Sequence, residues 1–269
     1  MKNKELKILT VGNSFGVDTS HHLPDVARSA GYERVRVCVL YIGGCSLNRH
    51  FENAQNDLPV YRYYVNEGEE WICESEEKSI REAVAEDDWD FISIQHGTKD
   101  GSRYTLPASY ERLPALIDYV KQFAPVDCKI AFNMAWVMEP DSTHPEIRSY
   151  GGDQMQMYCN LIEVTKSAVL GVRGLDILSP AGTAIQNART SPLAGRLSRD
   201  GFHLSLGIGR YLASLTFLKA LTGADIGGVL WCPDGVTEEE RLIAIQCATH
   251  AVESPFSITT FENRKETKV

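Results

Sequence analysis

The chain has 269 residues, of which 43% are hydrophobic and 23% charged, and a formal net charge of −9. That composition suits a globular protein with a substantial core, and the length suits one α/β domain over residues 1–269, with a core at about 6–221 and an extension at 222–269. The acidic balance argues against nucleic acid or an anionic membrane as a partner, because phosphate backbones and acidic lipids repel it.

Lys2, Lys4 and Lys7 precede an apolar run, residues 8–11, that is too short for a signal-peptide core. No stretch approaches the ~18 apolar residues of a membrane span. Seven cysteines without a C-x-x-C pair suggest thiols in a reducing compartment rather than a disulfide framework or zinc site. A cytoplasmic address is therefore expected.

Residues 6–11 (LKILTV) form a short apolar run ending in Gly12, the pattern of a buried parallel strand. Leu23, Val26, Ala27 and Ala30 recur at helical spacing and predict a helix over 19–30, stopped by Gly31. A second strand is expected at 35–41, before Gly43-Gly44. Residues 61–65 and 70–73 flank a polar turn at 66–69 and predict a β-hairpin inserted after that strand. Helix 79–85, strand 91–94, helix 110–123, strand 129–134, helix 154–170 and strand 175–178 follow in alternation. An apolar helix begins near Leu206. Thr237 with Glu240 is a capping-box signature for a helix to about Val252. Residues 257–261 read as an added edge strand, and the charged residues 262–269 as a frayed end. The alternation implies a three-layer α/β/α sandwich with a mainly parallel five-stranded sheet.

Ligands of such sheets bind at the carboxyl ends of the strands. There the sequence offers Gly12-Asn13-Ser14-Phe15, Gly43-Gly44-Cys45-Ser46, Gln95-His96-Gly97-Thr98 and Ala135-Trp136. A serine hydroxyl needs a base, an acid that orients the base, and donors for the oxyanion. Ser14 lies where free helix-start N–H groups could hold negative charge, although a serine there more often simply caps the helix. Asp200 and His203 sit three apart on a turn before the apolar helix, a spacing that can set carboxylate against imidazole Nδ1 and leave Nε2 for the serine proton.

Gly12-Asn13-Ser14-Phe15 resembles the first block of the SGNH/GDSL hydrolases, and Asp200-Gly201-Phe202-His203-Leu204-Ser205 resembles their last block. Gly44-Cys45-Ser46 matches the second block. The resemblance spans about residues 6–221, looks closest to a bacterial branch of that superfamily, and implies a flavodoxin-like strand order 2-1-3-4-5. It further implies a serine esterase with Ser14, Asp200 and His203 as triad and the N–H groups of Ser14 and Gly44 in the oxyanion hole. The third block departs, because Ile94-Gln95-His96-Gly97 lacks the usual asparagine. The Gln95 amide is assigned its donor role by chemistry, with His96 as the other residue able to fill that space.

Asn48, Arg49, His50, His96 and Trp136 are expected to line the substrate site, and the 61–73 hairpin to form a rim or lid. Asp141-Ser142-Thr143-His144 repeats the D-x-x-H spacing between two prolines and reads as a substrate-side loop. His21, His22, His50 and Asp18 do not form a metal-ligand pattern, so no metal or organic cofactor is expected. No phosphate-binding P-loop is present, and Gly207-Ile208-Gly209 reads as a helix start. The expected partner is a small-molecule or oligosaccharide ester, first of all a short acyl group on carbohydrate. A lipid esterase or thioesterase of the same fold, and a non-catalytic carbohydrate-binding descendant, are the alternatives.

Overall fold

The computed structural model describes residues 5–68, 70–99 and 102–261. Strand β1 (Glu5–Gly12) sends Leu6 and Ile8 into one core and Leu9 and Val11 into the other. This is the two-sided burial of a central parallel strand. Helices α1 (Ser14–Ser20) and α2 (Leu23–Ser29) replace the single helix expected over 19–30. Pro24 has no N–H to donate and would clash with the Ser20 carbonyl in a continuous helix, so the chain breaks at His21-His22 and restarts with Pro24 in the first turn.

Strand β2 (Arg34–Tyr41) runs parallel to β1 along its whole length. Helix α3 (Leu47–Gln55), absent from the sequence reading, starts where Ser46 Oγ accepts from Arg49 N–H at 3.2 Å. Strands β3 (Tyr61–Asn66) and β4 (Ile72–Lys78) form the expected hairpin, but β3 pairs antiparallel with β2. The hairpin therefore lengthens the sheet to seven strands, in the order β4-β3-β2-β1-β5-β6-β7. Its register pairs Tyr41 with Arg62 and Val37 with Asn66, so the turn lies toward the amino end of β2. A lid over Ser14, at the carboxyl end of β1, is thereby ruled out.

The remaining elements are α4 (Ile80–Val84), opened by a Ser79–Glu82 capping box, β5 (Phe91–Gln95), α5 (Leu113–Lys121) and β6 (Lys129–Asn133). Then come α6 (Pro145–Arg148), α7 (Gln154–Val164), β7 (Ile177–Ser179), α8 (Ala181–Ala188), α9 (Ile208–Thr222) and α10 (Glu238–Glu253). Helix α7 is shorter than expected because a π-helical turn, Thr165–Val169, takes over its end. The Thr237–Glu240 capping box forms at the start of α10.

The five parallel strands keep the anticipated order, with β2 on one side of β1 and β5 on the other. The order reverses at β1, which opens a crevice at its carboxyl end. Helices α1, α2, α8, α9 and α10 pack in one core, and α3, α4 and α5 in the other. Residues 257–261 do not form the expected edge strand. The N–H of Thr259 goes to Asn187 Oδ1 and that of Phe261 to Thr190 Oγ1, so side chains at the end of α8 take the donors a sheet edge would need. Residues 262–269, expected to fray, lie outside the described residues. No described helix is long and apolar enough to cross a membrane.

Candidate active site

Asn13 directly follows β1 and caps α1: its Oδ1 accepts from Phe15 N–H at 2.9 Å, and its Nδ2 donates to the Cys45 carbonyl at 3.2 Å. The capping role thus falls to Asn13 and leaves the Ser14 hydroxyl for other work. That hydroxyl lies 2.9 Å from His203 Nε2. His203 Nδ1 lies 2.6 Å from Asp200 Oδ2, while Asp200 Oδ1 accepts from the N–H groups of His203 at 2.7 Å and Phe202 at 3.1 Å. With Nδ1 protonated toward the carboxylate, Nε2 is the acceptor for the serine proton.

Burial works against ionised Asp200, but the His203 ring and the two backbone N–H groups outweigh it and hold the carboxyl below its usual range. The Asp200 side chain is 40% exposed and that of His203 19%, so the pair borders solvent.

The turn carrying the pair is tightly built. Ser198 Oγ accepts from Gly201 N–H at 2.8 Å and donates to the His203 carbonyl at 3.0 Å, while Arg199 N–H donates to that same carbonyl at 3.0 Å. Gly201 has φ +86°, and a Cβ there would meet Ser142 Cβ at 2.8 Å. Only glycine suits both the left-handed backbone and the close approach. From outside, Glu139 N–H donates to the Gly201 carbonyl at 2.7 Å and Trp136 Nε1–H to the Phe202 carbonyl at 2.7 Å.

Trp136, expected to line the substrate site, is instead part of the core. It is 2% exposed, packs its ring 4.9 Å from Phe15, and braces the Asp200–His203 turn through its indole N–H. The strand-end position was legible; the inward rotamer depends on Phe15 and Tyr104 meeting it from other segments.

Gln95 is also corrected. Its side chain is fully buried, its Nε2 donates to the Asn133 carbonyl at 3.2 Å and the His96 carbonyl at 3.4 Å, and its Oε1 accepts from Asn133 Nδ2 at 2.7 Å. The same Asn133 amide reaches Thr19 Oγ1 at 2.9 Å. The amide assigned to the oxyanion is spent joining β5, β6 and α1 in the core.

His50 and His96 do not line the substrate site. Both are buried, with His50 Nδ1 2.8 Å from Tyr61 OH and the His96 ring edge-on to Tyr110 at 5.0 Å. Burial pushes His50 down to about 3 and His96 down to about 4, so both stay neutral near pH 7. Asn48 and Arg49 are exposed on the first turn of α3. They border a cavity of about 390 Å³ with Ser46, Glu52, Ser102 and Ser109.

Gly97 and Thr98, expected at this edge, are joined there by Lys99, which the sequence does not single out. Lys99 N–H donates to the Gly44 carbonyl at 2.9 Å, and the Lys99 stem lies across Gly44. Gly97 packs so closely on the Gly44-Cys45 backbone that no Cβ would fit. Thr98 Oγ1 lies 3.3 Å from His144 Nε2, which brings the Asp141–His144 loop to the same edge. The only local signal for Lys99 is its place directly after the small residues Gly97 and Thr98 that follow β5. Among the described residues no group of three His, Cys, Asp or Glu could hold a metal ion.

Comparison with known proteins sets this geometry among relatives. Residues 7–251 match the family described as a domain of unknown function, DUF4886. A DUF4886 family protein from Bacteroides uniformis is 32% identical, with 96% of this chain and 98% of that chain covered at a TM-score of 0.89. Axe2, an acetylxylan esterase from Geobacillus stearothermophilus, is 14% identical, with 82% and 97% covered at a TM-score of 0.51. That second likeness is one of fold. No curated protein matches the sequence.

Proposed function

The chain belongs to the DUF4886 family, and we propose that it is a serine esterase that cleaves carboxylic esters through an acyl-enzyme. The observation that carries this reading is the continuous relay from Asp200 through His203 to Ser14, at 2.6 and 2.9 Å. In the first step Ser14 Oγ adds to the ester carbonyl carbon while His203 Nε2 takes the hydroxyl proton. Asp200 keeps its charge, orients the ring and stabilises the imidazolium.

The tetrahedral oxyanion is held by the N–H groups of Ser14 and Gly44, neither of which donates to another described backbone or side-chain acceptor. The imidazolium then protonates the departing alcohol, leaving the acyl group on Ser14. Water, deprotonated by His203, attacks that acyl carbonyl, and collapse of the second intermediate releases the acid and restores Ser14.

Short acyl groups on a hydroxyl-rich alcohol fit the surroundings best. Phe15, Tyr104 and Trp136 are packed together beside the Ser14–His203 pair and buried, so the volume a long acyl chain would need is filled. The cavity bordered by Ser46, Asn48, Arg49 and Ser102 offers hydroxyl, amide and guanidinium groups beside the apolar Leu106 and Ala108, a mixture that suits hydroxyl recognition. An acetylxylan esterase built on the same fold accords with both features.

The test uses a fluorophosphonate probe and a series of aryl esters from acetate to octanoate. Labelling that disappears in Ser14→Ala, with turnover highest for acetate, is the expected result. Labelling that persists in Ser14→Ala would sink the nucleophile assignment, and a preference rising beyond butyrate would sink the short-acyl reading.

A further inference from the structure

Four residues after Ser14, on the same face of α1, lies Asp18, whose carboxylate is fully buried. Its Oδ2 accepts from the backbone N–H of Leu204, the residue directly after His203, at 2.9 Å. Arg199, the residue directly before Asp200, brings Nη1 to 3.1 and 3.3 Å from the two carboxylate oxygens. The same Nη1 also donates to the Leu204 carbonyl. From α9, Arg210 Nε donates to Asp18 Oδ1 at 2.8 Å. One buried carboxylate thus gathers the nucleophile's helix, both ends of the Asp200–His203 turn, and the helix behind that turn.

We infer that Asp18 is a positioning residue for the Ser14–His203–Asp200 relay, fixing the imidazole relative to the nucleophile through Leu204 and Arg199. The inference rests on the esterase reading above and gives it a further part.

A single buried charge suits this task for a physical reason. A carboxylate offers about four acceptor directions, enough for one backbone N–H and two guanidinium groups at once, and its charge offsets theirs where water cannot. A surface pair would leave the long arginine side chains free to choose other rotamers. Here Arg210 is mostly buried and Asp18 wholly so, and the geometry has little freedom. Errors of about 1 Å between nucleophile and base are costly, on the order of 10²-fold in rate, so a group that sets this distance affects turnover more than substrate binding.

The experiment compares wild type with Asp18→Asn, well below both unfolding transitions. It reads kcat and KM on an aryl acetate together with the downfield proton resonance of the His203 Nδ1–H in the Asp200 hydrogen bond. Asparagine can still accept from Leu204 N–H but cannot balance two guanidinium groups. The expected result is a fall in kcat of about tenfold to a hundredfold, KM within about twofold, and a shifted or broadened imidazole resonance. A folded Asp18→Asn protein with kcat and resonance both unchanged overturns the inference.

If Asp18→Asn does not fold, Arg199→Lys decides, since it keeps the charge and loses the link to the Leu204 carbonyl. Lower kcat at unchanged KM supports the role, and unchanged kcat overturns it. If wild type hydrolyses no ester, the esterase reading falls alone. The imidazole resonance of wild type and variant then still decides whether Asp18 sets the ring.

Discussion

Asp200 and His203 stand three residues apart, and so do Asp141 and His144, yet the two segments use that spacing differently. In the first, the turn bends through Gly201 and the carboxylate meets its own histidine at 2.6 Å, leaving Nε2 for Ser14. In the second, His144 caps α6, with Nδ1 accepting from Glu146 N–H at 3.2 Å and Nε2 facing Thr98. Asp141 is exposed there. Burial and the neighbouring His203 both push the His144 ring below the usual histidine value, so it stays neutral where it packs 5.1 Å from Phe202. The spacing supplies a possible pair; the glycine, the following helix and the partner across the crevice decide whether a relay forms.

The sharpest way to break this contrast is to remove its ends. Ser14→Ala and His203→Ala should each lower kcat by about 10⁴-fold or more, whereas His144→Ala should stay within about tenfold, read on an aryl acetate. Comparable losses from both histidine variants would merge the two roles. Next, Asp200→Asn should cost about 10⁴-fold, because the amide holds the wrong imidazole tautomer. Asp141→Asn should leave the rate unchanged; a matching loss there would mean the exposed carboxylate takes part after all.

The second segment should show itself in stability instead. Glu146 is raised from 4.5 to about 7, by burial acting against its bonds from Thr105. Its folded-state value lies above the unfolded one, so its own contribution to stability is full below pH 4.5 and is lost as pH rises through about 7. Glu146→Gln should flatten that decline, worth about 3 kcal/mol above pH 7, as measured by urea unfolding at several pH values. An unaltered pH dependence would show that another group is responsible. The smallest effect on rate belongs to Gln95→Leu: kcat should change by less than about tenfold, against ~10²–10³ for a lost oxyanion donor. Unfolding should become easier by about 1–3 kcal/mol, because Asn133 loses its acceptor.

These contrasts also mark what the sequence makes legible. Alternating β-branched runs announce the five parallel strands because burial on both faces leaves few other options for such segments. The Ser14–His203–Asp200 contact is legible because each of its parts is local: a serine just past a strand, and an acid and base on one turn. Gln95 misleads because its amide is consumed by Asn133, a partner 38 residues away that faces it only through the β5–β6 register. His50, His96 and Trp136 look like site residues at strand ends and loop starts, but their burial is decided by Tyr61, Tyr110 and Phe15, which arrive from elsewhere. The strand expected at 257–261 fails for a similar reason, since its donors find Asn187 on α8 and Thr190 just past it.

The hairpin that widens the sheet also determines how its edge meets other molecules. The outermost strand, β4, reads ICESEEK and turns Glu74, Glu76 and Glu77 to solvent. A foreign strand seeking backbone partners there would have to desolvate and crowd this row of carboxylates, which discourages edge-to-edge pairing. Meanwhile the apolar β2 is covered on that side by β3. The free edge of the sheet is thus bordered by negative charge, which opposes pairing between two such edges.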